Sequence, residues 1–327
     1  MSASRAEGAL VLGTGVSGLS CALTLARAGF AVEAWERGDV AREVSSVAAA
    51  IWYPYLAGPE GLVERWALAT LAHFERIAAD PESGVTLCHG VQVFPRGVAA
   101  PAFLRHLPAL RELAPREVPS GRAHGVAFRV PVVEMGLYLP WLRARCAELG
   151  VRFVQREVQS LDEALDKSAL VVNCTGLASR ELAHDAALVP IRGQVLRVAP
   201  RFARTFVLDE HGPEGVCYVV PRAHDVVLGS SAGEGREDLD PDPVETAQIL
   251  ARAARHLPGL TAADVIGIKV GLRPGRAAVR LEAERPRPGR LLVHDYGHGG
   301  AGVTLSLGCA EAVLELVQAA RARADAR

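Results

Sequence analysis

The sequence lacks an excess of charge of either sign. Its 36 Lys and Arg residues are balanced by 37 Asp and Glu residues, and the isoelectric point is near 6.8. This balance offers no electrostatic footprint for nucleic acid or for an anionic membrane surface. Half of the 327 residues are hydrophobic, which excludes a disordered chain and predicts one large domain or two intertwined ones.

Closely spaced cysteines are lacking as well. No two cysteines have C-x-x-C spacing, so the sequence predicts neither a metal site nor a redox dithiol. Because no disulfide framework is visible, we expect a cytoplasmic protein. The six cysteines are Cys21, Cys88, Cys146, Cys174, Cys217 and Cys309.

No membrane span or signal peptide is predicted, although the uncharged stretch of residues 8–26 follows Arg5. Glycine and hydroxyl residues are concentrated in Gly13–Ser20, and helical periodicity begins at Val16. A soluble strand–turn–helix unit explains this composition better than a secretory segment. We therefore predict no membrane partner.

That unit contains the motif G-x-G-x-x-G, between a predicted strand at Ala9–Leu12 and a helix at Val16–Ala28. Gly13 permits a tight turn, Gly15 lets a phosphate approach the main chain, and Gly18 allows the helix to pack closely. The helix N-terminus then faces a pyrophosphate with its partial positive charge. The motif favours a dinucleotide site, and a glycine-rich turn without a ligand is the alternative.

Two further segments fit the same site. Glu36 ends the second predicted strand, where a carboxylate can accept a hydrogen bond from a ribose hydroxyl. Arg37 beside it leaves NADP open as an alternative. The strand Leu170–Asn173 is followed by Cys174, Thr175 and Gly176, which either bring backbone close to the dinucleotide or form an ordinary turn.

The middle of the chain shows a different pattern. Short alternating runs at Ile191–Val198, Phe206–Leu208, Cys217–Val220 and Val226–Leu228 are typical of antiparallel sheet. The nucleotide-binding elements are thus interleaved with antiparallel insertions. No linker separates the two parts, so we expect an extensive interface with a ligand crevice.

Five segments carry more specific motifs, among them Ala-Ala-x-x-Trp-x-Pro-Tyr and Tyr-Gly-His-Gly-Gly. They are Val47–Tyr55, Val171–Gly176, Cys217–Arg222, Gly271–Pro274 and Val293–Thr304. In this order and spacing, over nearly the whole chain, they resemble the D-amino acid oxidase family, including glycine oxidase-like members, of the bacterial type.

The resemblance implies an α/β fold with FAD as cofactor. A Rossmann-like FAD-binding domain (1–50, 139–190 and 283–327) is expected to interleave with an antiparallel-sheet α+β substrate domain (51–138 and 191–282). The implied reaction is oxidative deamination of D-amino acids to 2-oxo acids and ammonia. It proceeds by hydride transfer to flavin N5, and dioxygen then reoxidises the flavin to give hydrogen peroxide.

The resemblance also assigns the catalytic residues. Arg273 matches the arginine that binds the substrate carboxylate, and its planar fork suits that group bidentately. Tyr218 matches a tyrosine that meets the same carboxylate, and Gly300 matches the glycine whose carbonyl accepts from the substrate amine. A structural ion pair for Arg273 and an ordinary sheet tyrosine for Tyr218 are the alternatives. His298 is expected to be structural or to lie beside the flavin.

The remaining site residues are expected around these three. The expected substrate pocket consists of Ile51, Tyr53, Leu208 and Val220. The expected cofactor-binding residues are Gly13, Gly15, Val16, Ser17, Gly18, Glu36, Arg37, Ser45, Ser46, Ala49, Ala50, Val158, Cys174, Thr175, Gly176, Arg273, Gly299, Gly300, Ala301, Gly302, Val303 and Thr304.

Departures from the family pattern bear on the substrate. The segment Glu210–Gly215 is short and has no tyrosine, so the lid of mammalian members is expected to be absent or small. Tyr53 stands where mammalian members have glutamine. The second cation of D-aspartate oxidases has no counterpart at Ala232 or Gly233, which favours neutral or apolar D-amino acids. Arg222 is a residue that could restore such a cation.

Three alternatives stay open at this point. A glycine or sarcosine-type oxidase has the same fold, and a flavin dehydrogenase would pass electrons to an acceptor other than dioxygen. The third is a non-catalytic nucleotide-binding protein. The oligomeric state is open too, with a homodimer as one expectation.

Overall fold

The computed structural model describes residues 7–38, 44–212 and 215–325 of the protein. The helices are α1 Val16–Arg27, α2 Val44–Val47, α3 Glu60–Ile77, α4 Met135–Glu148, α5 Leu161–Lys167, α6 Ser179–Leu182, α7 Pro243–Ala254 and α8 Gly302–Asp325. The strands are β1 Gly8–Leu12, β2 Ala31–Glu36, β3 Val85–Phe94, β4 Arg111–Glu112, β5 His124–Val133, β6 Arg152–Gln155, β7 Leu170–Asn173, β8 Val189–Val198, β9 Phe206–Asp209, β10 Cys217–Pro221, β11 Val226–Gly229, β12 Gly233–Glu234, β13 Val265–Gly275, β14 Arg280–Glu284 and β15 Leu291–Tyr296.

Within the described residues, six strands form a sheet in the order β14-β15-β7-β1-β2-β6. All neighbouring pairs are parallel except β14 with β15. Strand β1 pairs with β2 and β7, so it lies inside the sheet, and its residues after Gly8 are buried. The loops after β1 and β7 therefore leave the same edge of the sheet side by side, as in dinucleotide-binding folds.

A second sheet has nine strands among the described residues, in the order β12-β8-β11-β10-β9-β3-β5-β4, with β13 also paired to β8. Its pairs are antiparallel except β3 with β9. This sheet confirms the predicted fold class, a parallel nucleotide-binding sheet interleaved with an antiparallel one. The domain division stays a prediction, and β14 spans its 282/283 boundary.

The closing helix α8 packs against α1, α3 and the parallel sheet. Residues such as Leu305, Val313 and Val317 are fully buried in the main hydrophobic core. Gly302–Arg323 is long and apolar enough to cross a membrane by length and composition alone. Its contacts in the core account for that apolar character, and the absence of a membrane partner stays a prediction.

Helix α7 and strands β13 and β14 are elements that the sequence pattern did not predict. The signals for α7 are present: the Asp242 carboxylate accepts from the backbone N–H groups of Val244 and Glu245, and Pro243 occupies the first turn. Strand β13 shows no regular alternation of buried and exposed residues, although it pairs along its length with β8. The Gly-Leu-Arg-Pro segment lies near its end.

Removing the Arg192 side chain is expected to destabilise the antiparallel sheet. Arg192 is fully buried on β8 and contacts Glu245 at 2.6 Å and Asp238 at 2.8 Å. Arg192→Ala leaves two backbone carbonyls without the donor they accept from, while Arg236 stays beside both carboxylates. The substitution should therefore lower the free energy of unfolding by about 1–3 kcal/mol in urea titrations. The exposed Arg201–Asp264 pair is the control, and Arg201→Ala should cost less than ~1 kcal/mol. Equal effects of the two substitutions would contradict this role for Arg192.

Candidate functional site

A cavity of about 1230 Å³ opens between the two sheets. This volume exceeds the ~300–1,000 Å³ of a typical pocket for one small ligand, so a dinucleotide and a small substrate can share it. Most of the sequence-predicted site residues line it. They are Gly13, Gly15, Val16, Ser17, Arg37, Ser45, Ala49, Ala50, Ile51, Tyr53, Val158, Cys174, Thr175, Gly176, Leu208, Tyr218, Arg273, Gly299, Gly300, Gly302, Val303 and Thr304.

The glycine loop after β1 has the geometry of a phosphate cradle. Gly13 has a φ of +92°, and a Cβ there would lie 2.7 Å from the carbonyl oxygen of Cys174. A Cβ on Gly18 would lie 1.9 Å from the carbonyl oxygen of Gly13, so Gly18 supports the turn from behind and does not line the cavity. Gly15 has an ordinary φ of −66°. The backbone conformation at position 15 therefore does not require glycine. The lack of a side chain there instead points to a ligand in front of this residue.

Three more residues that were predicted to bind the cofactor, Glu36, Ser46 and Ala301, do not line the cavity. The Glu36 carboxylate is held bidentately by Arg143, at 2.6 and 2.9 Å, and also accepts from the Thr14 hydroxyl. Arg143 lowers the pKa of Glu36. Ala301 is fully buried in the core, and the carbonyl of Ser46 accepts from Lys269. Contact of these three side chains with the cofactor is thus not shown.

The predicted pocket residue Val220 is also misplaced. It lies two residues beyond Tyr218 on β10, where it is fully buried with Val132, Val195 and Val227. The strand continues past the cavity into this apolar cluster, so Val220 packs behind the wall. Arg222 does not supply a second cation either, because it is paired with Asp225 at 2.7 Å.

Buried thiols and a carboxylate lie beneath the cradle. The Cys21 thiol is 3.3 Å from Asp295, and the Cys174 sulfur is 3.8 Å from both Cys21 and Asp295. The other oxygen of Asp295 contacts His298 Nε2 at 3.0 Å. His298 is therefore fixed by Asp295, in keeping with a structural role beside the cavity. The predicted absence of a metal stays a prediction, since these donor atoms lie close together.

The loop before α8 joins the two halves of the cavity. Gly299 has a φ of +54°, and a Cβ on Gly300 would lie 2.6 Å from the ring of Tyr55. The Thr304 hydroxyl bridges the backbone N–H and carbonyl of Tyr53, at 3.0 Å each. The segment carrying Tyr53 and Tyr55 is thus tied to the N-terminus of α8.

Arg273 and Tyr218 meet on the antiparallel side. The Arg273 guanidinium donates to the carbonyl of Ser231 at 3.1 Å and to the hydroxyl of Ser230 at 2.8 Å. No carboxylate pairs with it among the described residues, so the alternative of a structural ion pair is not found there. Burial raises the pKa of Tyr218, and Arg273 opposes that rise. The neutral phenol thus lies beside a guanidinium that has no anionic partner in the described part of the chain.

Two strand glycines that sequence reasoning missed position these side chains. A Cβ on Gly193 would lie 2.3 Å from Nη1 of Arg273, and one on Gly229 would lie 2.0 Å from Cζ of Tyr218. The side chains of Arg273 and Tyr218 therefore each pack directly against a glycine of a neighbouring strand. A glycine inside a strand is the sequence signal for such a close approach.

Gly193→Ala is expected to displace Arg273 without unfolding the protein, because the clashing atoms are at the end of a flexible side chain. A displacement near 1 Å should lower kcat/KM for the substrate by about 10- to 100-fold. Gly267→Ala, on the paired strand β13, meets only Arg197 at 3.6 Å and serves as control. Unchanged steady-state kinetics in Gly193→Ala would show that Arg273 does not depend on this glycine.

A polar group that sequence reasoning also missed lies near the pocket residue Tyr53. The Tyr53 hydroxyl donates to Glu210 at 3.0 Å and accepts from Gln92 Nε2 at 2.7 Å. Burial raises the pKa of Glu210. Glu210 begins the short turn between β9 and β10, in which Pro213 and Glu214 lie outside the described residues. The predicted absence or small size of a lid therefore stays a prediction.

The fold and the cavity together define a class of protein. A phosphate cradle on a parallel sheet opens onto an antiparallel sheet whose arginine has no carboxylate partner among the described residues. This arrangement fits a dinucleotide cofactor together with a small anionic substrate. The open approach to Gly15 and the narrow passage at Gly300, which a Cβ would fill, fit a cofactor that runs from the cradle to the N-terminus of α8.

Comparison with known proteins then narrows the class. Residues 9–316 match the family described as DAO, FAD dependent oxidoreductase. The chain is 46% identical to a D-amino-acid oxidase of Rubrobacter xylanophilus, over 95% of this chain and 96% of that protein. It is 39% identical to a D-amino-acid oxidase of Streptomyces coelicolor, over 94% and 95%. The chain therefore belongs to the D-amino acid oxidase family of FAD dependent oxidoreductases.

Solved structures confirm the fold. Glycine oxidase from Geobacillus kaustophilus superposes with a TM-score of 0.77, over 96% of this chain and 95% of that one. The two sequences are only 19% identical, so this likeness concerns architecture. The predictions of family, fold class and FAD as cofactor are confirmed.

Proposed function

We propose that the protein catalyses the FAD-dependent oxidative deamination of neutral and apolar D-amino acids to 2-oxo acids and ammonia. The observation that carries this proposal is Arg273, a guanidinium in the cavity with no carboxylate partner among the described residues. Family membership and relatives named D-amino-acid oxidase support the same activity. Dioxygen as electron acceptor, hydrogen peroxide as product, a cytoplasmic location and a homodimer belong to this proposal too.

The residues of the chain position the substrate. Arg273 binds the substrate carboxylate with its fork, and the neutral Tyr218 hydroxyl donates to the same group. The carbonyl of Gly300 accepts from the neutral amine. With carboxylate, amine and side chain each held, the Cα hydrogen of one enantiomer alone points along the path to the cofactor. FAD, when bound, supplies the hydride acceptor.

The cradle and the loop before α8 are the residues that would hold FAD. Backbone N–H groups at the start of α1 would face the phosphates, and Gly299, Gly300 and Gly302 to Thr304 would line the rest of the cofactor site. The N-terminus of α8 brings its partial positive charge to that part of the site. Its field favours negative charge on the cofactor, and Ile51 and Leu208 exclude water from the substrate.

Product analysis tests the proposal. Oxygen consumption, 2-oxo acid and hydrogen peroxide should appear together with D-norleucine and should be absent with L-norleucine. Turnover of glycine or sarcosine in preference to D-amino acids would replace the proposal with the amine oxidase alternative. Formation of the 2-oxo acid with a dye acceptor but without oxygen consumption would indicate a dehydrogenase.

A further inference from the structure

The substrate end of the cavity contains a carboxylate that the proposed reaction does not use. Side chains alternate at the end of β9, so Leu208 and Glu210 both line the cavity while Asp209 points the opposite way. The Asp209 carboxylate forms an ion pair there with Arg122 at 2.6 Å and contacts His256 Nε2 at 3.3 Å. Glu210 therefore faces the ligand space, and its neighbour in sequence does not.

Two buried side chains fix the position of Glu210. Gln92 is fully buried and donates to the Tyr53 hydroxyl at 2.7 Å, which leaves the Tyr53 proton for Glu210 Oε2 at 3.0 Å. The hydrogen bonds thus run from amide to phenol to carboxylate, and Gln92 Nε2 also donates directly to Glu210 Oε2 at 3.5 Å. Glu210 Oε1 accepts no hydrogen bond from any described residue. One oxygen is anchored, and the other is available to a ligand.

No cationic side chain pairs with Glu210 among residues 7–38, 44–212 and 215–325. Arg273 likewise lacks a carboxylate partner there. The two charges and Tyr55 line one cavity. Burial raises the pKa of the Tyr55 hydroxyl, Arg273 opposes that rise and Glu210 adds to it. Arg273 and Glu210 therefore offer a cation and an anion to a ligand in this cavity.

Apolar surface lies near the anion. Ile51, Leu208 and Val216 line the same cavity as Glu210, and Leu208 precedes Glu210 by two residues on the same face of the chain. Such a wall suits the methylene stem of a long side chain, and a basic group at the end of the stem can then reach the carboxylate. A neutral stem such as that of norleucine packs on the wall equally well, while an acidic side chain meets a like charge.

We propose that Glu210, held by Tyr53 and Gln92, is a specificity-determining residue that binds the ammonium or guanidinium group of a basic D-amino acid. Substrates with a cationic side chain, such as D-lysine and D-arginine, thereby join the neutral ones. This inference rests on the proposed function, since the carboxylate of the same substrate must lie on Arg273. It also assigns to Tyr53 and Gln92 the role of positioning residues.

D-lysine and D-norleucine form the matched pair for the test, because they differ only in the terminal ammonium group. In Glu210→Gln, the ratio of kcat/KM for D-lysine to that for D-norleucine should fall at least about tenfold relative to the wild type. Glu210→Asp keeps the charge and should retain part of the preference. Glu112→Gln changes an exposed glutamate on β4 and should leave the ratio unchanged.

Each other outcome has a distinct meaning. An unchanged ratio in Glu210→Gln would overturn the inference, as would an equal loss for both substrates, which would place Glu210 at the α-amine instead. Tyr53→Phe provides a second variant: it removes the anchoring hydroxyl and should lower the same ratio. Absence of turnover with every D-amino acid in the wild type would refute the proposed function itself.

Discussion

Replacing Arg273 with alanine is expected to lower kcat/KM for D-amino acids by about 100- to 1,000-fold while the protein keeps FAD. The guanidinium is the charge that neutralises the substrate carboxylate, and losing one partner of such a buried pair costs about 2–5 kcal/mol. Ser230 and Ser231, which hold Arg273, cannot replace its charge. Steady-state kinetics with D-norleucine and the visible flavin spectrum measure the two effects separately.

Arg273→Lys sharpens this prediction, because lysine keeps the charge and loses the planar fork. Its kcat/KM should lie between those of the wild type and Arg273→Ala. The exposed Arg204 provides a control for loss of one positive charge, and Arg204→Ala should behave as wild type. Normal KM values in Arg273→Ala would show that the substrate carboxylate binds elsewhere.

Introducing leucine at Gly15 is expected to weaken FAD binding by more than about 100-fold, which corresponds to about 2.7 kcal/mol. Gly15 has an ordinary φ of −66°, and a Cβ there meets only the Ser45 hydroxyl at 3.2 Å. The Ser45 side chain must shift by a few tenths of an ångström to accept the new side chain, whose remaining atoms extend into the cavity in front of the α1 N-terminus. The cradle would hold the phosphates of the dinucleotide in that space.

Titration of the apoprotein with FAD, followed by flavin fluorescence, gives the dissociation constant. Thermal unfolding of the two apoproteins should coincide, which separates a binding defect from a folding defect. Gly136→Leu, in α4 where a Cβ meets nothing within 4 Å, is the control for adding bulk. Unaltered FAD affinity in Gly15→Leu would argue against a phosphate at this glycine.

Local patterns allowed much of the nucleotide-binding half to be predicted. The strand–turn–helix around Gly13 and Gly15 has a short spacing and a sharp chemical signature, so it is visible in a few residues. Motifs of this kind also placed Arg273 and Tyr218 in one cavity. Val220 does not line the cavity, because alternation along β10 tells which face a side chain takes, and not where along the strand the cavity ends.

The features of the site that the sequence did not predict depend on contacts between residues that are far apart in the chain. Glu36 was expected at a ribose, yet Arg143, 107 residues away, holds it. Glu210 lies 157 residues from Tyr53, and its segment was considered only for the missing lid tyrosine. Gly193 contacts Arg273 across paired strands, and no local pattern relates the two positions. These contacts follow from strand order, which periodicity does not specify.

The central claim concerns a flavin that is reduced by D-amino acids, and one measurement tests it directly. The visible spectrum of the purified protein should be recorded anaerobically during addition of D-norleucine, with L-norleucine and glycine as controls. The proposed function predicts bleaching of the flavin band by the D-enantiomer alone. A flavin band that stays oxidised with D-norleucine and with the other D-amino acids would contradict it.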